Sequence, residues 1–363
     1  MVLKMFKIKT LLGRLPLKRF LSTSPNNVLE HLKERALIRV SGHEVSNFLQ
    51  GLITNDIEHL NSGPGSMYTM FLNSSGRVLY DTIVYRCKEK DTYLLECDIQ
   101  GLETLQKHLK LYRVRRKIDI ASLADEFKIY VLFNDSVINC NSTDDQKMLD
   151  GVIIPCQKLN ESVPQTTHTV HRDLLIYRDP RVAHLGSRII TKSDINISEQ
   201  ISDIVNVESR PDSTRNYRWL RYNLGVGEGF LDLPPRDCFP LECNCDYLHG
   251  ISFHKGCYIG QELTARVHHT GVVRKRLMPI YFTKTPTKSP DEKIVQENVN
   301  LGKLRGVETD VGLGLLRITK ALAVNEIKIG DGIGTTRKPN WWPIEAPKEK
   351  INTYSTEKWK LSW

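Results

Sequence analysis

Apolar residues in this chain come in short bursts separated by turn chemistry, and that spacing restricts the fold more than any other feature. Residues 67–72, 78–87 and 92–97 read as strands, the last two joined through residues 88–91 as a hairpin. After Gly271 the bursts recur at 277–282, 311–318 and 327–333, divided by Lys, Pro, Asp and Gly, which is compatible with a small antiparallel barrel. Elsewhere the period lengthens. Residues 27–56 read helical, with Val45, Phe48, Leu49 and Leu52 on one face and Ser41-Gly42 as the entry turn. Residues 99–111 resemble a second helix, and 214–224 a third, carrying Tyr217, Leu220 and Leu224 and closed by Gly225. Helices beside antiparallel strands place the chain in the α+β class. No stretch approaches the roughly 20 continuous apolar residues that span a bilayer, so membrane insertion is not expected.

The length, 363 residues, exceeds what one hydrophobic core organises, so two or three modules are expected. We divide the chain into a leader (1–25), a first α+β module (26–126), a second (127–270), a C-terminal barrel (271–343) and a charged tail or extension (344–363). In the second module residues 129–133, 174–177 and 188–191 are short strand candidates, and 134–163 is polar and turn-rich, with a solvated loop at 141–146. Gly225-Val-Gly-Glu-Gly229 is a poor nucleotide loop, because it follows helical sequence where a phosphate loop follows a strand.

The first 29 residues carry Lys4, Lys7, Lys9, Arg14, Lys18 and Arg19, with no acid before Glu30. As a helix they place Met5, Ile8, Leu12 and Leu15 on one stripe and the cations on another, the composition of a mitochondrial transit peptide. A formal net charge of +9 falls by six to +3 once these are removed, so most of the basicity belongs to the leader and nucleic-acid binding loses support. Two other basic runs, Arg113 with Arg115, Arg116 and Lys117, and Arg274-Lys275-Arg276, suit an anionic partner or a solvated face.

Chemistry concentrates in Lys255-Gly-Cys-Tyr-Ile-Gly-Gln-Glu262. Lys255 and His254 precede Cys257 closely, and neighbouring positive charge favours the thiolate that ligates metals or attacks electrophiles. Gly256 and Gly260 bracket the cysteine and imply a tight, exposed loop. Gln261 and Glu262 offer an amide and a carboxylate able to read a heterocycle, and Glu262 stands four residues before Arg266, the order of a helical ion pair. A buried structural cysteine in a glycine turn fits the spacing equally. His268 and His269 follow, either tuning a thiolate or simply structural. The eight cysteines stand at 87, 97, 140, 156, 238, 243, 245 and 257 without a disulfide framework. Cys238, Cys243, Cys245 and Cys257 together are not a common zinc spacing.

The run Ile251-Ser-Phe-His-Lys-Gly-Cys-Tyr-Ile-Gly-Gln-Glu-Leu-Thr-Ala-Arg266 resembles the signature of the YgfZ-type folate-binding proteins, relatives of the glycine-cleavage aminomethyltransferase. Phe48-Leu-Gln-Gly-Leu-Ile-Thr-Asn-Asp56, Gly76-Arg-Val-Leu-Tyr-Asp81, Pro240-Leu-Glu242 and Gly271-Val-Val-Arg-Lys-Arg-Leu277 follow the family's order and approximate spacing. The resemblance covers roughly residues 30–340. It implies an aminomethyltransferase-like body of two related α+β modules with a C-terminal antiparallel β-barrel around a folate cavity. With the leader, it implies a mitochondrial matrix member that matures 4Fe-4S proteins together with an A-type iron-sulfur carrier and client enzymes. Cys257 would then be one ligand of a transiently shared iron-sulfur cluster. Lys255, Gly256, Tyr258, Gly260, Gln261, Glu262 and Arg266 support that site, and Cys243 and Cys245 are weaker metal candidates. The alternative is a folate-dependent one-carbon transferase using tetrahydrofolate, with Glu242, Asp246 and Asp56 as acid-base candidates by type alone.

Overall fold

A computed structural model describes residues 27–62, 65–134, 168–202, 205, 207–208, 215–287 and 293–343. The expected leader, the 141–146 loop and the tail lie outside them, as do Cys140 and Cys156. The described elements are strands β1 (Asn27–His31), β2 (Arg35–Ser41), β3 (Ser66–Leu72), β4 (Val78–Arg86), β5 (Thr92–Asp98), β6 (Asp119–Ser122), β7 (Phe127–Asn134), β8 (His168–His171), β9 (Leu174–Arg178), β10 (Ser187–Lys192), β11 (Val207–Glu208), β12 (Lys275–Lys284), β13 (Lys293–Gln296), β14 (Val299–Glu308), β15 (Val311–Arg317), β16 (Ile327–Ile329) and β17 (Gly332–Thr336). The helices are α1 (Val45–Gln50), α2 (His59–Ser62), α3 (Leu102–Arg113), α4 (Ile197–Ile201), α5 (Tyr217–Asn223), α6 (Gly229–Asp232), α7 (Gln261–Thr270) and α8 (Ile318–Ala321).

Three sheets result, and the mixture of elements is α+β as expected. The first, in the order β3-β4-β5-β2-β6, is antiparallel and carries α3, whose Leu105 and Leu109 pack with Ile38, Val40, Val84 and Ile120. The second runs β11-β1-β7-β10-β9-β8. The third, β13-β14-β15-β12-β17-β16, is an almost closed antiparallel barrel whose end strands meet, with the Lys328 N–H donating to the Gln296 side chain at 3.3 Å. One core runs through all three: Leu37 and Ile83 from the first sheet, Val131 and Phe133 from the second, and Leu313 and Leu315 from the barrel share it.

The helix expected over 27–56 is a correction. Only Val45–Gln50 is helical, preceded by β1 and β2. The physical reason is that β2 is buried on both faces, Leu37 toward the central core and Ile38 and Val40 toward the α3 side. A two-sided strand loses its period-2 signature and reads as an undivided apolar run. Gly42, at φ +141°, ends the strand; a Cβ there would lie 2.4 Å from the Lys117 carbonyl oxygen. Chain order and sheet membership also part company, since β1 pairs antiparallel with β7 and so sits in the second sheet. Helix α5 ends as expected, with Gly225 at φ +68° just beyond it. The 225–229 glycines open only the single-turn α6.

Candidate functional site

The loop carrying Cys257 rests on the segment 50–56, so two of the sequence motifs are one structural unit. The Thr54 hydroxyl donates to the Gly250 carbonyl and the Asn55 amide to that of His249, both at 2.7 Å, while the Ser252 N–H donates to Thr54 and the Ile259 N–H to Gly51. Lys255 completes the join. Its ammonium donates to the carbonyls of Gln50, Ile53 and Asn55, each at 2.7 Å, so its three N–H groups meet three acceptors. Burial pushes this ammonium down to about 8, against the pull of Asp56.

The expected pairing of Lys255 with the thiol is therefore corrected: the cation points into the protein while Cys257 is exposed. His254 and Gly256 are exposed beside it, and a Cβ at Gly256 would touch nothing within 4 Å. Gly260 is different. At φ +79° it opens α7, and a Cβ there would come within 2.4 Å of the Asn73 carbonyl oxygen. Gly76, at φ +74°, faces it, 3.0 Å from the Gly260 carbonyl oxygen by the same construction. Two motif glycines thus stand back to back, locking the turn after β3 to the thiol loop.

The other motif residues are structural in their contacts. Gln261 accepts from the Tyr258 N–H at 3.2 Å, and Tyr258 is buried under Lys255 with the ammonium 5.0 Å from its ring centre. Glu262 and Arg266 form the expected ion pair at 2.5 Å on the exposed face of α7. His268 stacks on Phe253 at 3.5 Å between ring centres, bracing the loop from the helix side.

Cys243 and Cys245 do not join Cys257. Both are buried, and burial pushes each thiol well up, so they remain protonated; the Cys243 thiol lies 2.9 Å from the Cys238 sulfur. Among the described residues no group of three or more His, Cys, Asp or Glu is arranged to hold a metal ion. The three acid-base candidates are likewise engaged: Glu242 with Lys275 at 2.8 Å, Asp246 with Arg276 through two 2.8 Å bonds, and Asp56 with the Gln50 amide at 2.8 Å.

What sequence reasoning missed lies at the centre, where the first two sheets meet α5 and α6. Arg188, fully buried, bonds Glu96 at 3.0 Å, Glu228 at 2.5 Å and the Tyr217 hydroxyl at 3.1 Å. Arg35 bonds Glu96 at 2.9 Å and Asp81 at 3.2 Å, and Arg181 meets Asp179 at 2.8 Å and Glu228 at 2.7 Å. Burial opposes ionisation of Glu228, but Arg188 and Arg181 outweigh it and hold the carboxylate well below its usual range. At Asp81 burial wins, reinforced by nearby Glu228 against the pull of Arg35, and the carboxyl is pushed up. Among the described residues, three buried donors in this region, the Tyr68 hydroxyl, Nη1 of Arg181 and Nε of Arg221, have no hydrogen-bond partner. Asp81 closes a quoted motif, so a signal existed; the arginines come from positions that only the topology unites.

Comparison with known proteins agrees with this architecture. The family described as "GCVT N-terminal domain" matches residues 30–132, and "CAF17, C-terminal beta-barrel domain" matches 274–344. The glycine cleavage system aminomethyltransferase T from Bartonella henselae superposes with a TM-score of 0.62 over 88% of this chain and 89% of its own, at 15% identity, a likeness of fold alone. The mitochondrial iron-sulfur cluster assembly factor IBA57 of Mus musculus is 36% identical over 87% of this chain and 85% of its own length, and that of Homo sapiens 34% over 86% and 84%. With an aminomethyltransferase-like body, a C-terminal barrel and relatives at these identities over most of their length, the chain belongs to the IBA57 family of mitochondrial iron-sulfur cluster assembly factors.

Proposed function

We propose that the chain acts in the mitochondrial matrix as a maturation factor for 4Fe-4S proteins, working with an A-type cluster carrier and delivering to client enzymes. The cluster is cargo: the Cys257 thiolate supplies one ligand and the partner's thiolates the others. Residues 1–25 serve as the transit peptide. The observation that carries the reading is the contrast in thiol placement, with Cys257 exposed on a braced loop while Cys97, Cys238, Cys243 and Cys245 are buried. A ligand shared across two chains has to reach the partner.

The test is Cys257→Ala in cells lacking the native protein, with mitochondrial 4Fe-4S enzymes assayed beside glycine cleavage. Cluster enzymes are expected to stay deficient. Their full recovery would overturn the thiolate role.

A second reading, folate binding, is favoured by the unpartnered Tyr68 hydroxyl and Arg181 Nη1 near Asp81. Buried donors without partners call for a polar guest, and a pterin edge presents both acceptors and N–H groups to such a set. Tyr68, Arg181 and Asp81 would hold it, and a reduced folate would supply a one-carbon unit. Tyr68→Phe should weaken tetrahydrofolate binding several-fold while Cys257→Ala leaves it unchanged. Turnover of a folate one-carbon donor with an amine acceptor would support the transferase alternative, and binding without turnover would remove it.

A further inference from the structure

The end of α3 presents apolar side chains to solvent in the midst of cations. Val114 at 75% and Leu111 at 72% are the two most exposed large hydrophobics among the described residues, and Tyr112 beside them is 38% exposed. Around them Lys110, Arg115, Arg116 and Lys117 are all exposed. Acidic groups close in sequence do not neutralise them, since Glu103 pairs with Lys107 and Asp119 with Arg39.

The tip is also held in shape. The Arg116 N–H donates to the Arg113 carbonyl at 3.0 Å, and Val114 sits between them at φ 53°, ψ −108°, the first central position of a II′-type turn. Glycine is the usual occupant there; a β-branched side chain is strained in that conformation. The Arg113 guanidinium donates to the Ile118 carbonyl at 3.0 Å and Arg116 lies over the Phe48 ring at 6.0 Å, so the turn is tied to the body. A strained valine on a braced turn projects apolar surface outward.

We infer that this tip docks peripherally on an anionic membrane surface, inserting Leu111, Tyr112 and Val114 among the headgroups while the surrounding cations meet lipid phosphates. The composition identifies the occupant: aliphatic and aromatic side chains ringed by Lys and Arg suit a membrane interface. An RNA would be met by the cations but gains nothing from Leu111 and Val114, and the centres of protein interfaces are depleted in lysine. No bilayer span is involved, in keeping with the absence of a long apolar helix among the described residues.

The test is co-sedimentation of the full chain with phosphatidylcholine vesicles and with vesicles containing phosphatidylglycerol. All variants retain the same first 25 residues, so their contribution cancels on comparison. The wild type is expected to prefer the anionic vesicles, with affinity falling as salt rises. Arg115→Glu with Lys117→Glu, and separately Leu111→Ser with Val114→Ser, should each weaken binding about tenfold or more. Val114→Gly should raise the melting temperature by relieving the turn, yet lower vesicle affinity, two opposite movements that a purely structural valine would not produce. Anionic vesicle affinity unchanged in all three variants, or no preference over neutral vesicles, would overturn the inference.

Discussion

Two runs of cations that look alike in the sequence have opposite fates in the fold. In Arg274-Lys275-Arg276 the last guanidinium is buried, bonded to Asp246 and the Leu241 carbonyl and stacked 3.7 Å over the Tyr247 ring, while Lys275 pairs with Glu242. In the run from Arg113 to Lys117 the side chains of Arg115 and Lys117 project into solvent. Lys255 belongs with the first group, its charge spent on three backbone carbonyls. The lesson is that a basic run has no function by itself; what decides is whether the fold supplies acceptors.

Substitutions can break that division. Arg276→Ala should cost the most, about 3–5 kcal/mol, because it strands Asp246 as an unpaired, largely buried charge; chemical denaturation would measure it. Lys255→Met follows, at about 3 kcal/mol, since three carbonyls lose their donor together, and limited proteolysis should cut first within residues 250–260.

The buried centre sharpens the comparison through pH. Glu228 and Asp179 have folded pKa values below their unfolded ones, so their stabilisation is complete above the ordinary carboxylate range and is lost as pH falls through the lowered values. Asp81, pushed up, works in the opposite sense. Acid denaturation of Glu228→Gln should therefore be shallower than that of wild type, although the variant is less stable at pH 7. The smallest effect belongs to the solvated run: Arg115→Glu with Lys117→Glu should change stability by no more than about 0.5 kcal/mol.

Legibility in the sequence followed the same division between local and assembled structure. The hairpin of β4 and β5, the helix α3, the turn at Gly225 and the Glu262–Arg266 pair were readable because neighbours in the chain determine them. Strand β2 was not, because burial on both faces erased its alternation. The destination of the Lys255 ammonium was equally hidden, since its acceptors lie at residues 50, 53 and 55. The Arg35, Arg181 and Arg188 cluster is assembled from two sheets and the link between β9 and β10, and no local pattern marks it. The spacing around Cys257 fits an exposed loop and a buried turn equally, and the fold decides for exposure; of the two flanking glycines only Gly260 has a steric reason for being one.

The contact between Gly76 and Gly260 also bears on inheritance. A missense change at Gly76 introduces a side chain where Leu263 and the Gly260 carbonyl already stand, and its damage would be transmitted to the cysteine loop with no atom of Cys257 altered. Clinical or genetic readings of such a variant should group it with lesions of the thiol loop, however far apart the two codons lie.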